Sequence, residues 1–155
     1  LLARAFDSLA ISLIALPFIA PLLSQLLAHI NDKVQLATAT GSQANLSDPT
    51  TIRLTLTLTA LVLVVSFLYE VPQLLRWGQT LGKRIARVRV LRFDGAPQLG
   101  LRAVVLRWLV QAAAPQLPWV GIGVWLLDSL WLLWDKPWRQ CLHDKAASTI
   151  VVSVA

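Results

Sequence analysis

The sequence predicts an all-α membrane protein: a helical bundle of about four membrane-entering helices, the last two a short hairpin. A small two-stranded β element is expected on the cytoplasmic face. Three observations predict this. Two apolar runs are each long enough to cross a bilayer, a third apolar region is broken near its middle, and a strongly basic segment separates the second from the third. Composition agrees. Hydrophobic residues make up 56% of the chain, against roughly 45–50% in soluble proteins. Charged residues make up 14%, against roughly 25%. Seven tryptophans fit a chain that meets the membrane–water boundary, where Trp is enriched.

The elements follow in order within a single domain, 1–155. The first helix is expected at about 8–30, in "SLAISLIALPFIAPLLSQLLAHI", with no charged residue. A hydrocarbon core of about 30 Å needs roughly 20 helical residues. Pro17 and Pro21 are tolerable there, because neighbouring groups in a membrane bundle satisfy the freed carbonyls. A cleaved signal peptide is the weaker alternative, since its apolar core is only about 7–15 residues long. No methionine is present, so a segment upstream of Leu1 is expected, with any targeting information it carries.

The second helix is expected at about 54–75. Its opening "LTLTLT" alternates like a strand, but a lone strand in lipid leaves its backbone unpaired. A helix is therefore predicted, with Thr hydroxyls bonded back to helix carbonyls and Tyr69 near the headgroup level. The third apolar region, Ala103–Trp134, is too long for one crossing and short for two. Its "PQLP" at Pro115–Pro118 is a natural break. Helices at about 103–114 and 119–134 are expected as a hairpin, the first either spanning or lying in the interface because it contains Arg107.

Charge predicts the orientation. Arg76, Lys83, Arg84, Arg87, Arg89, Arg92, Arg102 and Arg107 are opposed only by Asp94 between the second and third regions. The stretch 31–53 holds Asp32, Lys33, Asp48 and Arg53, which cancel. The positive-inside rule then puts the basic segment and both termini in the cytoplasm, with Lys136, Arg139 and Lys145 in the tail, and residues 31–53 outside. A bacterial inner or internal membrane is the expected location.

Within the basic segment, "GQTLGK" does not make a phosphate loop. Gly78 and Gly82 are separated by three residues rather than four, and Arg84 stands where Ser or Thr would hold magnesium. Nothing indicates nucleic acid as a partner. "ARVRVLRF" reads instead as a strand at about 87–92, closed by the turn signal Asp94–Gly95. The β-branched "STIVVSV", about 148–154, is its expected partner. Lys83, Arg84, Arg87 and Arg89 either set topology alone or also contact anionic lipid headgroups, each cation being worth about 1 kcal/mol near the surface.

The charges at the ends of the apolar runs suggest a cluster. Arg4 and Asp7 are three apart and share one helical face. Asp144 follows the last helix. One arginine between two carboxylates, using its two-pronged donor geometry, would tie the start of the chain to its end. The stretches "ARAFDS", "YE" at Tyr69–Glu70, "GQTLGKRIARVRVLRFDGAP", an Arg in the next helix and "LHDKAASTIVV" are together similar to the RDD family of bacterial membrane proteins. The resemblance covers nearly the whole chain. The family's naming Arg and two Asp fall by motif on Arg4, Asp7 and Asp144. What the resemblance implies is a small multi-pass protein, with transport, including cation–proton exchange, proposed for some members.

The other polar groups are read as follows. Asp128 in "WLLDSLW" is either a functional intramembrane carboxylate or, as preferred, a structural partner of Arg107 across the hairpin. Glu70 is placed to join Arg4 or to pair with Arg76. Cys141, the sole cysteine, forms no internal disulfide, and Cys141 with His143 makes only C-x-H, too little for zinc. Cys141, His143 and Asp144 are too crowded for a nucleophile relay. No enzyme, no cofactor and no metal is expected. The favoured role is an accessory or stabilising subunit packed against other membrane subunits or against itself, supported by the small-residue patches "AAA" and "GIG". The alternative is an oligomeric transporter or cation/proton exchanger.

Overall fold

A computed structural model describes residues 2–96, 98–138 and 140–154 of the chain. Arg139, counted above with the basic tail, lies outside the described residues. The fold is mostly helical. Two long helices come first, α1 (Leu2–Thr40) and α2 (Pro49–Trp77). After them come a short helix α3 (Leu81–Ile85), strand β1 (Val88–Arg92) and helix α4 (Leu101–Trp108). Helix α4 runs on as a π-turn, Leu109–Ala113, and a 3-10 turn, Ala114–Gln116. Helix α5 (Gly121–Leu130), short helix α6 (Leu142–Ala146) and strand β2 (Thr149–Ser153) complete the chain.

The chain divides into two compact units. One is Ser12–Val65 and the other combines Leu1–Ile11 with Ser66–Ala155. In the first unit both helices are longer than the apolar runs suggest. The expected helix at about 8–30 continues to Thr40, and the one expected from 54 begins at Pro49. The stretch 31–53 is therefore mostly helical, because isolated charges such as Asp32 and Lys33 do not stop a helix. What starts α2 is Asp48. Its carboxylate accepts from the Thr50 and Thr51 backbone N–H groups at 3.1 and 3.3 Å and from the Thr51 hydroxyl at 2.8 Å. Pro49 fills the first helical position, where a missing N–H costs nothing. His29 and Lys33 reach the same carboxylate at 3.0 and 3.2 Å. The Thr51 hydrogen bond, ahead of those from His29 and Lys33, holds Asp48 well below the usual carboxylate range.

Pro17, Pro21 and Pro72 all lie inside continuous helices. The Leu/Thr stretch is helical, and Thr57 donates back to the Arg53 carbonyl at 2.8 Å. Both α1 and α2 are long and apolar enough to cross a membrane.

In the second unit the two strands pair antiparallel, with Val88 opposite Ser153, Val90 opposite Val151 and Arg92 opposite Thr149. This is the predicted pairing. The apolar hairpin also breaks at the proline pair. There Gly121 comes so close to the Pro115 carbonyl oxygen that an added Cβ would overlap it. The first glycine of "GIG" therefore carries a close contact, whereas Gly123 has open space around it.

The two short helices were not foreseen, and they are related. Each begins after an extended capping residue, Thr80 or Cys141. Each runs five residues and turns through a residue with positive φ, Arg87 at 53° or Ser148 at 50°. Each then enters a strand. Val90 and its counterpart Val151 face each other in the ladder. The flanking bonds match as well: Phe93 N–H donates to the Ser148 carbonyl and Val154 N–H to that of Arg87, at 3.0 and 2.8 Å. The second unit is thus built on a helix–strand motif used twice about a local two-fold.

Candidate functional site

Each copy of the motif receives a buried carboxylate at the start of its short helix. In the first copy it is Asp7, fully buried. Asp7 accepts from the Gly82 N–H at 2.8 Å, the Thr80 hydroxyl at 2.5 Å and the Tyr69 hydroxyl at 2.9 Å. Lys83 Nζ stands 3.6 Å from it. In the second copy Asp128 accepts from the His143 N–H at 2.8 Å and lies 2.7 Å from the His143 ring Nδ1. Helix amides exposed at a first turn attract negative charge, so both carboxylates bind where a helix lacks its own acceptors.

Gly82 makes the first arrangement possible. A Cβ there would be driven into the Ala3 carbonyl oxygen and would sit 2.8 Å from the Asp7 carboxylate. Gly82→Ala is therefore expected to lower stability by about 1–3 kcal/mol, the usual cost of overpacking. Gly123→Ala, in open space, is the neutral comparison. Thermal unfolding of the detergent-solubilised chain distinguishes them, and equal midpoints for the two variants would refute the close-approach account.

The remaining charges form separate pairs. Arg4 donates to Glu70 at 2.6 Å. With the Gln111 amide turned to present its oxygen, Arg4 Nε also donates to Gln111 at 3.2 Å. Arg107 donates through Nη1 to Asp144 Oδ1 and to the Thr149 hydroxyl, the latter at 2.9 Å. Arg107 Nε is buried with no partner among the described residues. His143 Nε2 lies 3.6 Å from Asp144 Oδ2.

Three expectations are corrected by these contacts. Arg4 does not join Asp7 to Asp144. It takes Glu70, because Asp7 is already occupied by α3 and Asp144 by Arg107, so the arginine that holds Asp144 comes from α4. Asp128 does not pair with Arg107, because the backbone and ring of His143 fill its oxygens. Lys83 is not a surface contact for lipid headgroups. It is buried against Asp7, and burial, reinforced by the charge of Arg107, pushes its ammonium down to about 8. Arg84, Arg87 and Arg89 remain exposed, and Arg84 lies over the Trp77 ring at 4.7 Å. The alternative that put Glu70 with Arg4 is the one observed. Tyr69 is buried on Asp7.

Arg4, Lys83, Arg107, Asp128, His143 and Asp144 line one cavity of about 580 Å³, with Trp125 and Leu132 on its apolar wall. Burial pushes the His143 imidazole down to about 4, so the ring is neutral near pH 7. Around the cavity, the carboxylates of Asp7, Glu70, Asp128 and Asp144 then exceed the cations Arg4, Lys83 and Arg107 by one negative charge. Cys141, which also lines the cavity, has a ligand atom within 4.8 Å of ligand atoms of His143 and Asp144. Reading C-x-H alone missed this, because Asp144 supplies a third donor only once α6 turns.

The comparisons with known proteins agree with the motifs. Neither the curated proteins nor the solved structures contain a match to this chain. The family model that describes the RDD family, whose members are small membrane proteins, matches residues 1–148. With the family model matched over nearly its whole length, the chain belongs to the RDD family.

Proposed function

We propose that this chain is a non-enzymatic, multi-pass membrane protein that packs as an accessory or stabilising subunit against a larger membrane complex. The observation that carries this reading is α5. It is ten residues long, too short to span about 30 Å of hydrocarbon by itself. Yet Ile122, Trp125, Leu126, Leu127 and Leu130 on it are all exposed, and Trp119 and Trp134 flank it, also exposed. Meanwhile the buried charged groups of the second unit, Asp7, Glu70, Lys83, Arg107, Asp128 and Asp144, have internal partners. A large apolar surface beside a centre whose buried charges are paired suits a packing partner better than an open pathway. Both termini and the basic segment are assigned to the cytoplasm of a bacterial inner or internal membrane, with α4 and α5 as the third and fourth membrane-entering helices. Anionic headgroups meet Arg84, Arg87 and Arg89.

Two measurements test this. Mild solubilisation of native membranes followed by affinity capture is expected to recover a fixed stoichiometric membrane partner, lost when Trp125 and Leu126 are both changed to Ser. Accessibility labelling of Gln98→Cys is expected from the cytoplasmic side only and of Gln43→Cys from the outer side only. Outer-face labelling of Gln98→Cys would sink the topology. The second reading, an oligomeric transporter or cation/proton exchanger, is favoured by the charged cavity. Cation movement driven by a pH gradient in liposomes holding the purified chain alone would replace the first reading with it.

A further inference from the structure

We propose that Cys141, His143 and Asp144 bind a divalent ion of the zinc type on the cavity wall. The donor set is sulfur, nitrogen and oxygen, the set that zinc accepts, and three protein ligands with one open position is the usual form of an accessible zinc site. The three ligand atoms lie within 4.8 Å of one another. Metal–ligand bonds of about 2.0–2.3 Å require the widest spacing to contract, a change within reach of the half-buried Cys141 side chain.

The orientation of His143 points to a ligand. Asp128, as a carboxylate, can only accept. The His143 ring therefore presents its proton from Nδ1 at 2.7 Å, which leaves a lone pair on Nε2. That lone pair has no hydrogen-bond donor among the described residues. It faces Asp144 Oδ2 at 3.6 Å, and Oδ2 is the oxygen that Arg107 and Thr149 do not contact, since both are on Oδ1. A cation between Nε2 and Oδ2 would satisfy both. A carboxylate holding the far nitrogen of a histidine is the outer-shell arrangement of metal-bound imidazoles.

The first copy of the motif serves as an internal comparison. At the positions of Cys141, His143 and Asp144 it has Thr80, Gly82 and Lys83, and α3 forms the same turn, capped the same way by Asp7. The turn therefore does not need a thiol, an imidazole and a carboxylate to fold. On binding, the S–H bond of Cys141 is exchanged for a sulfur–metal bond and the proton leaves to water. The site gains one net positive charge.

The test uses the full chain in detergent, freed of metal with a chelator and titrated with Co(II), then with Zn(II) in competition. The expected result is one equivalent of Co(II) bound, with a thiolate-to-cobalt charge-transfer band that Zn(II) abolishes. Cys141→Ser, nearly isosteric, should remove the band while the chain stays folded by circular dichroism. Asp128→Asn should keep the band but weaken binding about 10–100-fold, the usual effect of losing an outer-shell partner. Asp94→Asn, remote and exposed, should change neither. No band in folded chain, a band that persists in Cys141→Ser, or unchanged affinity in Asp128→Asn would each overturn the assignment.

Discussion

Asp7→Ala is expected to destabilise the folded chain by about 3–5 kcal/mol, the range for leaving a buried charge without its partner. The substitution removes the acceptor for the Gly82 N–H, the Thr80 hydroxyl and the Tyr69 hydroxyl together, and strands Lys83. Each orphaned buried donor alone costs about 1–3 kcal/mol, so the loss belongs at the upper end unless water enters. Asp7→Asn keeps one acceptor oxygen but turns an NH₂ toward groups that donate to the carboxylate in the parent chain, so an intermediate loss is expected. Combining Asp7→Ala with Lys83→Met should cost less than the two separate losses added, because the stranded ammonium is removed with its partner. Thermal midpoints and the folded fraction on size exclusion measure all four chains. Asp7→Ala melting with the parent would refute the claim that this carboxylate holds α3 to the start of α1.

The coarse architecture was legible because lipid leaves few choices. Apolar length and the charge bias around the basic segment identified α1 and α2 as membrane-crossing candidates, and the rule against lone strands in lipid turned "LTLTLT" into helix. The pairing of "ARVRVLRF" with "STIVVSV" was legible for a similar reason, since neither strand had another partner. The helix ends were not, because Asp48 caps α2 through a local side-chain geometry that hydropathy does not register. The polar centre was legible only as a set of residues. Three-residue spacing correctly put Arg4 and Asp7 on one face, but spacing cannot say which long-range partner wins. Asp7 went to an unforeseen helix and Asp144 to an arginine of α4. The repeat itself was hidden because its two copies share little beyond Gln79 with Gln140, Leu81 with Leu142, Ala86 with Ala147 and Val90 with Val151. What they have in common is a backbone, an extended cap and a positive-φ turn, and several sequences satisfy each.

The pairing that replaces the expected arginine–aspartate cluster makes the second large prediction. Arg107 and Asp144 are both buried, at 3% and 5% exposure, and joined by a charge-assisted hydrogen bond. Arg107→Met leaves Asp144 facing the cavity with only Thr149 to donate to it, and a loss of about 3–5 kcal/mol is expected. Asp144→Leu leaves a guanidinium whose Nε already lacks a partner, so its loss should be as large. The double variant removes both charges from a poorly hydrated place. Replacing a whole buried pair with apolar groups is often neutral or stabilising, so the double variant should be more stable than either single one. Arg107→Lys should recover only part of the parent stability, because an ammonium cannot reproduce the span from the carboxylate to the Thr149 hydroxyl. Metal-free conditions keep Asp144 in one role during these measurements. An Arg4→Ala chain separates this account from the one suggested by the three-residue spacing. Arg4 is partly exposed and holds Glu70, so its loss should be smaller than that of Arg107→Met. If Arg4→Ala were instead the more damaging, and the Arg107–Asp144 double variant no better than its singles, the arginine that ties the tail to the rest of the chain would have to be Arg4 after all.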